Sequence, residues 1–284
     1  MLFRFFITLL ILHIHPPFPL EFDLSSLAPT CRIFTRPAFS QQDCGACAAF
    51  AVATAVAVRS CVRDGRDWIP SPYRLFECGG GDCENGSGVG RLVETMNRVD
   101  VGDVELSANV FGGECMKEGV KETVVDGYRY PGWPHWGTTF HLDHRNVGMI
   151  KAEIYAYRNP VLVILDPDAR MSFYSHEEHP PPVYHVTGPS LQAHVMVAIG
   201  WGSYPEPYWL VQNSWGAKWG DRGRGRIAVE SIASAVVLDA RIWREDWVLL
   251  MAMAMVIAML LVLEVMEWRK GGVVKVKIDG ELCV

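Results

Sequence analysis

The sequence Gln41-Gln-Asp-Cys-Gly-Ala-Cys47 leads directly into an Ala-rich stretch, residues 47–62, that contains no Pro or Gly. This composition predicts a helix that begins at Cys47. A cysteine at a helix N-terminus lies at the positive end of the helix dipole, which favours the thiolate, the nucleophilic form of the side chain. Because a cysteine at this position is often only structural, a catalytic interpretation requires a base elsewhere in the chain.

Two later segments supply a candidate base and a residue that would orient it. His194 stands at the entry to an apolar strand, in Gln192-Ala-His-Val-Met-Val-Ala-Ile-Gly-Trp-Gly202. Asn213 follows in Tyr208-Trp-Leu-Val-Gln-Asn-Ser-Trp-Gly216. An Asn carbonyl oxygen that binds one imidazole nitrogen leaves the other nitrogen facing the thiol. The sequence therefore predicts a Cys/His/Asn arrangement of nucleophile, base and orienting residue.

The composition limits the function classes. Of 284 residues, half are apolar, and the formal net charge of −6 argues against a nucleic-acid partner. Seven of the eight cysteines lie in the first 115 residues, which is typical of a secretory protein. Two alternatives stay open at this level: a zinc site, in which the C-x-x-C pair Cys44/Cys47 joins Cys78/Cys83, and a thioredoxin-like redox motif, although no βαβ pattern surrounds it.

The distribution of patterns along the chain predicts an α+β fold with two lobes, helix-rich first and strand-rich second. Apolar β-like runs occupy 161–165, 195–199, 208–212 and 225–229. We expect one catalytic domain over residues 21–240.

Both ends of the chain carry apolar segments. Residues 1–20 hold one Arg and a short apolar run, which predicts a signal peptide or an N-terminal hydrophobic anchor. Residues 247–263 are uncharged and would span roughly 26 Å as a helix, so we predict a C-terminal transmembrane helix over 247–266. The basic residues of the tail, 267–284, place that tail in the cytosol and the catalytic lobes in the lumen or outside the cell. The alternative is a buried core helix.

The three motifs, in this order, resemble the papain family of cysteine peptidases over about residues 31–229. The segments Lys151-Ala-Glu-Ile-Tyr155 and Val183-Tyr-His-Val-Thr-Gly188 are similar to the cathepsin B branch. The resemblance implies a two-lobed fold of a helical and a β-barrel-like lobe. It also implies hydrolysis of peptide bonds through a thioester on Cys47, without metal or organic cofactor. Peptide or protein substrates and inhibitors of the cystatin type are the implied partners.

Further roles follow from the same resemblance. Gln41 and the Cys47 backbone N–H would bind the oxyanion, and Trp215 would cover the His–Asn hydrogen bond. Asn85 and Gly86 would bind the substrate backbone. A mainly apolar subsite would accept a hydrophobic P2 side chain, the residue before the one that supplies the scissile carbonyl; it would consist of Ile164, Ala193 and Val195. Three disulfides are implied: Cys31–Cys61, Cys44–Cys83 and Cys78–Cys115.

The sequence departs from the family pattern at several points. Ala48 replaces the usual aromatic residue after the nucleophile, and Asn85 replaces the first of two glycines. We expect no room for a pro-segment, and the Cys- and His-rich occluding loop of cathepsin B is missing, which predicts an endopeptidase. Asn85-Gly-Ser87 is also a glycosylation sequon beside the expected cleft, so we expect its glycan to be absent or inhibitory. The departures support one alternative function, a membrane-tethered binding protein with weak or no activity; acyl transfer to an amine is another.

Overall fold

The computed structural model describes residues 18–99, 101–104, 111, 115, 147–174, 181–190 and 192–238, and the backbone alone at 139–142. The described α-helices are Arg32–Thr35 (α1), Cys47–Asp64 (α2), Pro72–Cys78 (α3), Val89–Arg98 (α4) and Val147–Tyr155 (α5). The strands are Phe22–Asp23 (β1), Thr139–Leu142 (β2), Val161–Leu165 (β3), Val183–Tyr184 (β4), His194–Gly202 (β5), Tyr208–Gln212 (β6), Arg224–Ala228 (β7) and Ser234–Leu238 (β8). Short 3-10 turns occupy Leu24–Ser26, Ala169–Phe173 and Val229–Ser231.

Helix α2 is the helix predicted from the opening motif. Its first residue is Cys47, and every residue from Ala48 to Ser60 is buried, so small Ala side chains suit a helix that packs on all sides. The helix ends at Asp64. The next residue, Gly65, has a left-handed backbone (φ 66°), and its N–H donates to the carbonyls of Ser60 and Cys61. Helix α2 packs against β5.

The strands form one sheet in the order β2-β8-β3-β5-β6-β7-β4, and β1 also pairs with β5. All nine residues of β5 are buried, as expected for a central strand covered on both faces. Strands β5 and β6 are antiparallel, with Val197 opposite Gln212. The start of β5 and the end of β6 therefore lie side by side at the same end of the sheet, which brings His194 close to Asn213.

Three disulfides tie the helical part together: Cys31–Cys61, Cys44–Cys83 and Cys78–Cys115. The Cys44–Cys83 bond rules out the zinc alternative, which needed both cysteines as metal ligands. Among the described residues Cys47 is the one cysteine that is free.

The terminal segments are described only in part. Phe18 packs edge-on against Trp201, and the Trp201 indole N–H donates to the carbonyl of Pro19 at 3.0 Å, so the chain packs on the sheet from residue 18 onward. Residues 1–17 and the predicted membrane segment, 247–266, lie outside the described residues. Within the described ranges no helix combines the length and the apolar character needed to cross a bilayer.

Candidate active site

The hydrogen bonds around Asn213 determine which nitrogen of His194 carries a proton. Asn213 Oδ1 lies 2.8 Å from the Ser214 backbone N and 2.8 Å from His194 Nε2. Because the Ser214 N–H can only donate, the shared atom must be the amide oxygen, and Nε2 must then donate to it as well. In the neutral imidazole this leaves Nδ1 as the unprotonated acceptor. His194 is thus held in the tautomer that a base requires.

The indole of Trp215 stacks on the imidazole of His194. Its ring centroid lies 4.5 Å from that of His194, with the two planes tilted by 36°. His194 and Asn213 are each only 4% exposed. The pKa of His194 is lowered to about 4, because burial opposes protonation more than the hydrogen bond with Asn213 favours it. The imidazole is therefore neutral over most of the pH range.

Gln41 is held by the residue that follows Asn213. The Gln41 backbone N–H donates to the Ser214 carbonyl at 2.8 Å, and the Ser214 hydroxyl donates to Gln41 Oε1 at 2.6 Å. One N–H of Gln41 Nε2 binds the Cys44 carbonyl at 2.8 Å. An amide nitrogen has two N–H donors, so the second stays available to an oxyanion. Sequence reasoning missed Ser214, although its position directly after Asn213 was the available signal.

Cys47 lies beside the first residues of β5. The Val195 backbone N–H lies close enough to the thiol to lower its pKa. Burial raises the pKa of Cys47, and the backbone N–H groups of Val195, Ala48 and Cys47 itself only partly oppose this. The N–H groups at the helix start thus favour the thiolate, as expected, but desolvation outweighs them and sets the net direction of the shift. Both shifts favour the neutral forms of the thiol and the imidazole.

The loop from Asp82 to Gly86 is closed on itself. The Gly86 N–H donates to the Asp82 carbonyl at 2.6 Å, and the Asp82 N–H donates to the Gly86 carbonyl at 3.2 Å. The Asp82 carboxylate also accepts from the Glu84 N–H at 3.0 Å and from Asn85 Nδ2. A backbone N–H makes one strong hydrogen bond, so pairing of Gly86 with a substrate requires this bridge to open.

The residues predicted for the P2 subsite are partly brought together. Ile164 of β3 lies directly opposite Val195 of β5, so both side chains point to the same face of the sheet. Ile164 is half-buried, Val195 is buried and Ala193 is exposed. Ala193 precedes β5 and lies outside this strand pairing.

One further cluster among the described residues has the donor types that bind cations: His185, Glu206 and Glu230. His185 Nε2 lies 2.9 Å from Glu206 Oε1, and its Nδ1 lies 3.0 Å from Glu230 Oε1. The carboxylate of Glu206, aided by Glu230, raises the pKa of His185. A protonated imidazole can therefore form ion pairs with both carboxylates, and the contacts do not require a metal. Glu206 belongs to the β5–β6 connection, which lies at the other end of β5 from His194.

A thiol beside a neutral, oriented imidazole and a fixed amide donor defines a cysteine peptidase type of site. The chain belongs to the papain family: the model described as "Papain family cysteine protease" matches residues 18–239. A gut-specific cysteine proteinase of Caenorhabditis elegans is 30% identical over 209 residues, which cover 66% of this chain and 62% of that protein. The chain thus spans less than two thirds of that relative.

Further similarities agree with this assignment. Cathepsin B-like cysteine proteinase 5 of Caenorhabditis elegans is 27% identical over 249 residues, which cover 74% of this chain and 69% of that protein. The solved structure of procathepsin B S9 from Trypanosoma congolense superposes with a TM-score of 0.59 at 22% identity, covering 78% of this chain and 77% of the other. The predicted resemblance to papain-family and cathepsin B-like proteins is confirmed.

Proposed function

We propose that the chain is a cysteine-type endopeptidase that hydrolyses peptide bonds through an acyl-enzyme on Cys47. The observation that carries the proposal is the shared Asn213 oxygen, which leaves His194 Nδ1 as a proton acceptor. The next residue in the chain, Val195, has its backbone N–H near the Cys47 thiol. Intact Gln41 adds a donor for the oxyanion. No metal or organic cofactor enters the proposal.

The reaction follows from the neutral resting pair. As Cys47 Sγ attacks the substrate carbonyl carbon, the thiol proton moves to His194 Nδ1, and the carbonyl oxygen becomes an oxyanion that Gln41 Nε2 and the Cys47 N–H bind. The C–N bond then breaks, the leaving amine takes the proton from His194, and a thioester remains. Water, deprotonated by His194, attacks the thioester, and the acid and the free thiol are released.

Substrate preference is the finer part of the proposal. The facing pair Ile164 and Val195, with Ala193, supports a hydrophobic side chain at P2.

The sequence lacks the occluding loop, so we propose internal cleavage. An internally quenched peptide blocked at both ends should be cleaved as well as one with a free C-terminus. A strong preference for the free carboxylate, lost on amidation, would contradict this. Inhibitors of the cystatin type are proposed partners.

The test of the activity uses Cys47→Ala. This variant should not cleave a fluorogenic peptide with a hydrophobic P2 residue, because the nucleophile is gone, and it should not react with an epoxide active-site probe. Cleavage at the wild-type rate by Cys47→Ala would disprove the assignment. Circular dichroism shows whether the variant is folded.

A non-catalytic binding protein is the second candidate function. The closed Asp82–Gly86 bridge and the raised pKa of Cys47 favour it, together with Ala48 in place of an aromatic residue. A folded wild-type chain that binds peptides but neither cleaves them nor reacts with the epoxide probe would establish this alternative.

The proposed location is the secretory pathway, in a lysosome-like, vacuolar or extracellular compartment. Three disulfides support it, because such bonds persist in oxidising compartments. Anchoring through residues 247–266 rests on the sequence alone. Carbonate extraction of membranes tests it: release of the protein into the supernatant would refute the anchor.

A further inference from the structure

The loop that closes on Asp82 carries the one N-glycosylation sequon of the chain. Asn85-Gly86-Ser87 has the form N-x-S, and no other Asn of the 284 residues is followed two positions later by Ser or Thr. Asn85 is exposed, while the Ser87 hydroxyl is buried without a hydrogen-bond partner. This arrangement leaves the Asn side chain open to carry a large group in the folded protein.

The sequon lies against the segment that leads into the nucleophile. The Gly45 N–H donates to the Cys83 carbonyl at 2.8 Å, and Cys44 is bonded to Cys83. A Cβ on Gly86, whose φ is +74°, would lie 2.8 Å from the Gly45 oxygen. The sequon therefore packs on residues only two and three positions before Cys47, at the rim of the active site.

We propose that Asn85 carries an N-linked glycan that screens this rim and excludes folded proteins while it admits short peptides. In the transfer, Asn85 Nδ2 forms a bond to C1 of an oligosaccharide carried on dolichyl diphosphate. The C1–O bond to the diphosphate breaks, dolichyl diphosphate leaves, and one amide proton is lost to the transferase. The linked nitrogen keeps one of its two N–H donors. The substrate restriction rests on the proposed function, but the modification does not.

The burial of the Ser87 hydroxyl sets the order of events. A transferase must reach this hydroxyl, which the folded loop encloses, so transfer precedes closure of the loop and of the Cys44–Cys83 bond. Slowing disulfide formation in cells with a thiol reductant should raise the occupied fraction. An unchanged fraction would overturn this order.

The occupancy test expresses the full chain in eukaryotic cells with a functional secretory pathway. Peptide N-glycosidase should increase the electrophoretic mobility of the wild type and of Ser87→Thr, which keeps the sequon. It should have no effect on Asn85→Gln or Ser87→Ala. No mobility change in the wild type would overturn the proposal, whatever the activity of the protein.

The specificity test compares the glycosylated wild type with Ser87→Ala, which keeps Asn85 but cannot carry the glycan, and with Ser87→Thr, which keeps the sequon. Cleavage of a folded protein substrate should be severalfold faster in Ser87→Ala than in the two glycosylated proteins, and cleavage of a short fluorogenic peptide should differ little. Equal changes for the two substrates would overturn the screening role. Failure of every form to cleave the short peptide would instead refute the proposed function, with the mobility test still valid.

Discussion

The two sides of the candidate site are held together in different ways. On the strand side, His194, Asn213, Ser214 and Gln41 are buried and share a continuous chain of hydrogen bonds. On the loop side, residues 82–86 are mostly exposed and depend on one disulfide and on the backbone and carboxylate of Asp82. A buried network fixes atoms through mutual support, whereas exposed hydrogen bonds exchange readily with water. The strand side therefore suits chemistry, and the loop side suits adjustable binding.

The largest expected effect on activity comes from removing the base, His194. His194→Ala should lower kcat/KM for a fluorogenic peptide by about 10²–10⁴-fold, the range expected for loss of general acid–base catalysis. Asn213→Ala should leave a measurable remainder, because it disturbs orientation and not the proton acceptor itself. His185→Ala is the matched control. It removes a histidine that contacts Glu206 in the β5–β6 connection, away from His194, and it should retain activity. A similar loss in the control would mean that any histidine deletion damages the fold.

The next test separates Gln41 from the residue that positions it. Gln41→Ala should reduce kcat by about 10²–10³-fold, as for loss of an oxyanion donor. Ser214→Ala should reduce kcat less, by about 10-fold, because it removes the hydroxyl at Gln41 Oε1 but keeps the backbone N–H at Asn213. Ser214→Thr should recover most of the activity. Alkylation by iodoacetamide forms no oxyanion, so its rate should be nearly the same in Ser214→Ala and the wild type. A parallel loss of alkylation would assign Ser214 a purely structural role.

The pH dependence tests the burial of the strand side. The pKa of His194 falls from 6.5 to about 4 on folding, so the unfolded chain binds more protons between these values, and stability falls as pH drops through that window. The full effect is about 3 kcal/mol at 1.36 kcal/mol per pKa unit. Urea unfolding at several pH values measures this change in stability, and His194→Asn should remove most of it.

The acid limb of kcat/KM should have its midpoint near 4, since only neutral His194 accepts the thiol proton.

His185 should act in the opposite direction. Its carboxylate partners raise its pKa in the folded protein, so its contribution to stability is present at low pH and is lost as pH rises through the folded value. His185→Ala should remove this contribution. A stability profile that is the same in the wild type and both histidine variants would contradict both assignments.

The sequence predicted those features that depend on local composition. The helix from Cys47, the strands at 161–165 and 208–212, and the meeting of His194 with Asn213 follow from Ala content, apolar runs and motif order. The position of Ser214 directly after Asn213 could have singled it out, but not its contact with Gln41, because that contact depends on residues 39–41 pairing with 214–216 from a distant part of the chain. The net pKa shift of Cys47 could not be predicted, because the sequence shows the helix dipole but not the burial that opposes it.

The smallest expected effect concerns the loop side. Asp82→Ala and Asn85→Gly each remove part of the hydrogen bonding that closes the loop, so the Gly86 N–H should become available to a substrate backbone more often. An exposed hydrogen bond contributes about 0.5–1.5 kcal/mol, so KM should fall by about 2–10-fold while kcat stays nearly constant. Both changes are made in Ser87→Ala protein, so that no glycan varies between the samples. Glu84→Ala is the control, since it removes a neighbouring carboxylate and leaves the Asp82 bridge intact. If KM rises in Asp82→Ala and Asn85→Gly but not in Glu84→Ala, the closed loop is itself the binding conformation, and both sides of the site are then preorganised.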